Sequence, residues 1–335
     1  MAEPASIPVH ILTGFLGSGK TTLLSRLVRD PAFHDTAVIV NEFGEIGLDH
    51  VLINRSEDRD VVLLDSGCLC CASDSPLQET LESLWYRRAR GEVPPFARAV
   101  VETSGLANPV PLVADIHGLA VGGHFRLGGV AAVFDSVNGP SNLKRFDEVM
   151  RQLSIADCVG LSKSDLVTQD ELQAVKEQVA ATNPHANVVV LGSGNQADST
   201  IFSDSGLSRI EASGPAGTQQ GSRLSHLLRN GIGSHVFRLQ NPVDWPSYAS
   251  WVRLVQQRLG DRLLRAKGVL KFTDDELRLI QGVGCLFATP QTLSFAIPEQ
   301  QTNAMVMITS NATGEEVLEI ARALGDVVAG PQLRR

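Results

Sequence analysis

Residues 14–21 read GFLGSGKT, which matches G-x-x-x-x-G-K-[ST]. A short apolar run, VHILTGF (9–15), leads into it, and a stretch of helical spacing from Gly19 to Arg29 follows. A loop of this composition cradles phosphate when it lies between a buried strand and a helix N-terminus, and both flanks are present here. Gly14, Gly17 and Gly19 allow the tight turn that aims backbone N–H groups, Ser18 included, at phosphate oxygens. Lys20 is expected to reach the β- and γ-phosphates as the catalytic cation. The Thr21 hydroxyl is expected to ligate Mg²⁺, and Thr22 to donate to the α-phosphate. The competing account is a glycine-rich turn that matches by chance; the strand before and the helix after argue against it.

The alternation continues outward to about residue 195. The pattern predicts strands over 36–43, 60–65, 97–105, 127–135, 157–165 and 187–193, and helices over 75–89 and 168–181. Continuous apolar strands between helices imply an α/β fold, a mostly parallel sheet covered by helices on both faces. ASGPAGTQQGSR (212–223) is rich in Gly, Ser, Ala and Gln and has the composition of a linker. After it the order changes to strand, helix, three strands (263–272, 276–290, 304–310) and a capped closing helix, a small α+β domain. The expected division is therefore a phosphate-loop domain over 1–211, a linker over 212–230 and a C-terminal domain over 231–335.

Two further segments bear on the nucleotide. AVVETSG (99–105) ends a strand in Glu102, with Gly105 three residues on. The acid is placed to hold a Mg²⁺-bound water, and the glycine N–H to sense the γ-phosphate. LSKSDL (161–166) resembles the guanine-reading N-K-x-D loop, with Ser162 where that pattern has Asn. Lys163 would lie along the ring face. A buried Asp165 would accept from guanine N1–H and N2–H₂, and adenine has no such donor pair, so GTP is the expected nucleotide.

Composition excludes several partners. Lys and Arg number 29 against 37 Asp and Glu, for a formal net charge of −8, and no basic block stands out. Nucleic acid and anionic membrane surfaces are poor fits. No apolar stretch reaches membrane-spanning length, and the first residues lack the charged segment of a secretory signal. Five cysteines in 335 residues do not suggest a disulfide framework. They point to thiols in a reducing, cytoplasmic setting.

Three of those cysteines fall within four positions, in GCLCC (67–71). Cys68, Cys70 and Cys71 can converge on one soft ion if the segment turns at Gly67. Three thiolates leave a tetrahedral position open for another ligand, which suits a carrier that must release its metal. Thiolate softness favours Zn²⁺ or Cu⁺. The alternatives are small buried hydrophobes or a redox pair. NEFGEIGLD (41–49) follows the second strand, where a switch loop belongs. Its Glu42 is placed to approach either Mg²⁺ or a metal at the cysteines. His117, on an apolar helical stretch, is a candidate fourth ligand, against the ordinary reading of a structural histidine.

GFLGSGKTTLL (14–24), NEFGEIGLD (41–49), GCLCC (67–71), ETSGLANP (102–109) and SKSD (162–165) stand in the order and rough spacing of the CobW-like P-loop GTPases, and the chain resembles that family along almost its whole length. LLRAKGVLKF and QGVG resemble its C-terminal domain. The resemblance implies a GTPase that couples nucleotide state to delivery of a divalent metal to a client metalloprotein. The resemblance also extends the metals to Co²⁺ and Ni²⁺, since relatives include GTPases that insert nickel into hydrogenase and urease. Two departures stand out: Leu63, Leu64 and Asp65 occupy the region where members often carry a Glu before the cysteines, and the linker lacks a histidine-rich stretch. Two other functions stay open at this point. One is a non-enzymatic metal buffer or thiol redox sensor, stabilised by nucleotide. The other is an ATP-dependent kinase or ATPase on the same loop. Nothing in the sequence sets the oligomeric state, and a homodimer is left open.

Overall fold

The computed structural model describes residues 6–40, 50–54, 61–65, 76–120, 123–192, 198–202, 231–293 and 302–329. The chain divides into two compact units, Met1–Val179 with Ala186–Gly206, and Ala180–His185 with Leu207–Arg335.

The first unit is built on an eight-stranded sheet. Its strands are β1 (Ile7–Thr13), β2 (Thr36–Val40), β3 (His50–Asn54), β4 (Val61–Asp65), β5 (Arg98–Glu102), β6 (Phe125–Asp135), β7 (Cys158–Ser162) and β8 (Asn187–Val190). They are arranged β4-β3-β2-β5-β1-β6-β7-β8. Six of the eight, from β2 to β8 in that order, run parallel. β3 and β4 add an antiparallel edge, with His50 opposite Asp65. The apolar pattern predicts no strand over 50–54: HVLIN is five residues long and lies between polar segments, so it gives little periodicity.

Helices connect the strands: α1 (Lys20–Leu27), α2 (Pro76–Ala89), α3 (Val110–Ala120), α4 (Gly139–Arg145), α5 (Asp147–Ile155) and α6 (Gln169–Thr182). Ile11 and Leu12 are neighbours on β1 and both are fully buried. Successive strand residues point to opposite faces, so both faces of this sheet are covered. One face packs Leu12, Val100 and Val133 against Leu23, Leu24 and Leu27 of α1. This anchors the helix that follows the phosphate loop. Among the described residues no helix is long and apolar enough to cross a membrane.

The second unit carries a mainly antiparallel sheet of β9 (Ile232–Leu239), β10 (Leu263–Lys271), β11 (Leu277–Val283), β12 (Leu286–Phe287), β13 (Gln291–Thr292), β14 (Ala304–Ser310) and β15 (Val327–Ala329). The single strand expected over 276–290 is in fact a hairpin, β11 to β12, turning at Gly284 with φ of 56°. Helices α7 (Trp245–Arg258) and α8 (Gly314–Ala321) share a core with the sheet around Trp251, Phe272, Met305 and Ile320. Each begins at a side-chain cap, Asp244 accepting from the Ser247 N–H and Thr313 from that of Glu316.

Candidate nucleotide site

The phosphate loop has the geometry its glycines anticipate. Gly14, Gly17 and Gly19 all have positive φ, at 143°, 69° and 96°. Gly14 is further constrained by contact, since a Cβ there would lie 2.4 Å from the Val133 carbonyl oxygen. Gly19 occupies the N-cap of α1 and offers no side chain to its first-turn N–H groups, and that turn holds no acid. An uncapped helix N-terminus of this kind is suited to an anion. Lys20 is 7% exposed, and its Nζ donates to the carbonyls of Gly14 at 2.9 Å and Phe15 at 3.3 Å. The cation is thus folded back over its own loop. Thr21 and Thr22 are exposed, while Ser18 is buried.

Glu102 ends β5, the strand beside β1, and is 4% exposed. The Thr21 hydroxyl donates to its Oε1 at 2.7 Å. Residues 81 positions apart therefore bring a hydroxyl and a carboxylate together beside the phosphate loop. Hard oxygen donors of this kind suit Mg²⁺. Just beyond, the Thr103 hydroxyl donates to that of Thr13 at 3.1 Å, tying the two strand ends together. Gly105 is buried, and a Cβ on it would lie 2.6 Å from the Leu16 nitrogen. Only glycine lets the E-x-x-G loop approach the phosphate loop this closely.

The base-reading segment meets the same loop from the other side. Ser162, at the end of β7, is 9% exposed, and its hydroxyl donates to the Ser18 carbonyl at 2.6 Å. Serine in place of Asn thus still bonds directly to the phosphate loop. Lys163 takes a left-handed conformation, φ 54°, and its Nζ bonds Asp135 Oδ2 at 2.5 Å. Asp165 lies on the one-turn 3₁₀ helix Ser164–Leu166 and is exposed, not buried as guanine selection by its carboxylate would require. The motif's spacing sets its offset from the strand end and says nothing of how much chain covers it.

Asp135, which falls in none of the sequence motifs, is the partner of Lys163. It ends β6 and is 6% exposed. Burial pushes its carboxyl up. The hydrogen bonds from Lys163, the Asn138 backbone and side chain and the Val137 N–H outweigh that and leave it below the ordinary aspartate value. An acid ending an apolar strand, the feature that singled out Glu102, also marks it. Cys158 is buried, and desolvation, aided by the Asp157 charge, pushes its thiol up to about 12, so it is an inert core thiol. Cys68, Cys70, Cys71 and Glu42 lie outside the described residues. His117 falls on α3, with its side chain outside them. Among the described residues no group of three or more His, Cys, Asp or Glu could hold a metal.

Residues 8–190 match the model of the CobW/HypB/UreG nucleotide-binding domain, more than half of the chain. The chain belongs to that family. Residues 232–324 match the CobW C-terminal domain model. Among curated proteins, the chain is 30% identical over 313 residues to the zinc chaperone YjiA of Escherichia coli, covering 93% of this chain and 96% of that one. It is 28% identical over 318 residues to the zinc-regulated GTPase metalloprotein activator 1 of Schizosaccharomyces pombe, with 84% and 76% covered. The crystal structure of Zn(II)-bound YjiA GTPase from E. coli superposes with a TM-score of 0.68 at 27% identity, covering 96% of this chain and 99% of that one. Membership in the CobW family accounts for both matched domains and for the mostly parallel sheet carrying a phosphate loop.

Proposed function

We propose that the chain is a GTPase whose nucleotide state gates the binding and release of a divalent metal ion, zinc first, for delivery to a client metalloprotein. The carrying observation is the Thr21–Glu102 pair at 2.7 Å beside the Lys20-bearing loop, in a chain of the CobW family. The names of its relatives, zinc chaperone and zinc-regulated GTPase activator, support the choice of zinc over cobalt or nickel and the existence of a client. The functional division follows the sequence: a GTPase domain over 1–211, a linker over 212–230 and a C-terminal domain over 231–335 that meets the client. The matched ranges 8–190 and 232–324 support it. A cytoplasmic setting accords with the free thiols.

Phosphoryl transfer to water asks the protein mainly for positioning and for neutralising developing charge. The amides of the 14–21 loop and the N-terminus of α1 bind the phosphates. Lys20 moves from its carbonyl partners onto the β- and γ-phosphate oxygens. Thr21 and Glu102 would hold Mg²⁺, which would supply positive charge against the phosphates. Gly105 presents its N–H to the γ-phosphate. Lys163, steadied by Asp135, lies along the base, and Asp165 closes on the guanine edge. Cys68, Cys70 and Cys71 take the cargo ion, with Glu42 and His117 as candidate further ligands.

Phosphate release from GTP and from ATP, each with Mg²⁺, tests this reading. Turnover of GTP well above ATP is expected. A preference for ATP would move the chain to the kinase or ATPase class, and no turnover of either would leave a nucleotide-stabilised metal buffer.

A further inference from the structure

Helix α5 supplies neither the phosphate loop nor the base-reading segment, yet one of its side chains is built into the site. Gln152 is 1% exposed. Its Nε2 donates to the carbonyl of Gly105 at 3.1 Å and to that of Ala107 at 3.2 Å. Both hydrogens of one amide therefore go to one short stretch of backbone, the loop that follows Glu102. A two-pronged donor fixes the direction of two carbonyls two residues apart, which a single bond does not. On its other side, Gly105 lies against Leu16 so closely that no Cβ fits. The loop is held between the phosphate loop and α5.

The other end of the amide indicates that this contact is more than packing. Among the described residues Gln152 Oε1 is buried with no hydrogen-bond partner, and so is the Ser18 hydroxyl. Both residues line one narrow pocket between the phosphate loop, the end of β6 and α5. Burying an unsatisfied carbonyl carries a desolvation cost that a leucine of similar size would not. The pair of bonds to Gly105 and Ala107 is what the amide contributes in return.

We propose that Gln152 is a positioning residue that holds the 103–109 loop ready for the γ-phosphate and so sets the discrimination between GTP and GDP. This rests on Gly105 being the γ-phosphate sensor. A glycine-containing loop left untethered must be ordered when GTP binds, and that ordering opposes binding. GDP has no γ-phosphate and draws on no such ordering. A tether already in place therefore favours GTP alone.

Gln152→Leu removes both bonds at nearly constant volume. Gln152→Glu turns a carboxylate toward two carbonyls. Affinity for a non-hydrolysable GTP analogue and for GDP, each with Mg²⁺, is measured for both variants and the native protein. The analogue-to-GDP preference is expected to fall about 30-fold in Gln152→Leu, as loss of two neutral hydrogen bonds of ordinary strength implies, with GDP affinity held. A larger fall is expected in Gln152→Glu. An unchanged or raised preference, or an equal loss for both nucleotides, overturns the proposal and leaves the GTPase reading standing. Native protein that binds neither nucleotide overturns both. Hydrogen exchange on the native protein gives a check independent of either variant. The Thr103 and Ala107 amides, which donate to the Leu12 and Ser104 carbonyls, should be protected already in the GDP state, and free exchange at Ala107 overturns the proposal.

Discussion

Lys20→Ala is expected to lower GTP hydrolysis by about 10²–10³-fold, the usual scale for removing a preorganised charge stabiliser from a transition state. Nucleotide affinity should fall as well. Lys20 is almost fully buried, and its ammonium lies over the Gly14 and Phe15 carbonyls. In the proposed mechanism it both carries the charge that meets the phosphates and staples the loop that presents them. Phosphate release and nucleotide binding are measured on native and variant protein, with thermal unfolding as a control for folding. Phosphate release at the native rate would mean that GFLGSGKT is a turn and not a phosphate site.

Asp165→Asn is expected to exchange one base for another. The carboxylate is proposed to accept from N1–H and N2–H₂ of guanine, and two bonds to a charged acceptor are worth roughly 10²-fold or more together. The variant should lose GTP by about that factor. It should gain xanthosine triphosphate, whose 2-oxo group can take a hydrogen bond from the new amide. The side chain is exposed on a single 3₁₀ turn, so the substitution leaves the core untouched. Competition between the two nucleotides reads the outcome. A variant that still prefers GTP would place base recognition outside SKSD.

How far the sequence carries depends on whether a feature is local. The loop at 14–21 was legible because three glycines and a lysine at fixed offsets need nothing from the rest of the chain. Glu102 was legible because a strand that ends in an acid beside such a loop has few other uses, and its bond to Thr21 then follows from β1 and β5 being neighbours. Asp135 also ends an apolar strand in an acid but falls in no named motif, so its contact with Lys163 at 2.5 Å appears only in the structure. Gln152 gives no signal at all. A glutamine on a short helix reads as surface, and its partners lie 45 and 47 positions away. The antiparallel β3–β4 edge was missed for a related reason, because pairing across strands leaves no trace in a five-residue apolar run. Asp165 is exposed where the base-reading argument expects burial, since motif spacing fixes an offset from the strand end and not exposure.

In the proposed function nucleotide state and metal affinity are coupled, and one titration tests that coupling. Zn²⁺ is titrated into the full chain against a competing chelator, once with GDP and once with a non-hydrolysable GTP analogue, both with Mg²⁺. Coupling of typical strength, about 1–3 kcal/mol, gives roughly a 5- to 150-fold difference in zinc affinity between the two states. By linkage, zinc must shift the analogue-to-GDP preference by the same factor. Replacing Cys68, Cys70 and Cys71 together with serine should abolish tight zinc binding and the coupling, and leave nucleotide binding to the metal-free protein intact. A shift of that size, lost with the three cysteines, is the predicted result. Identical zinc affinities in the two nucleotide states would contradict the account, leaving a GTPase beside a metal site that it does not control.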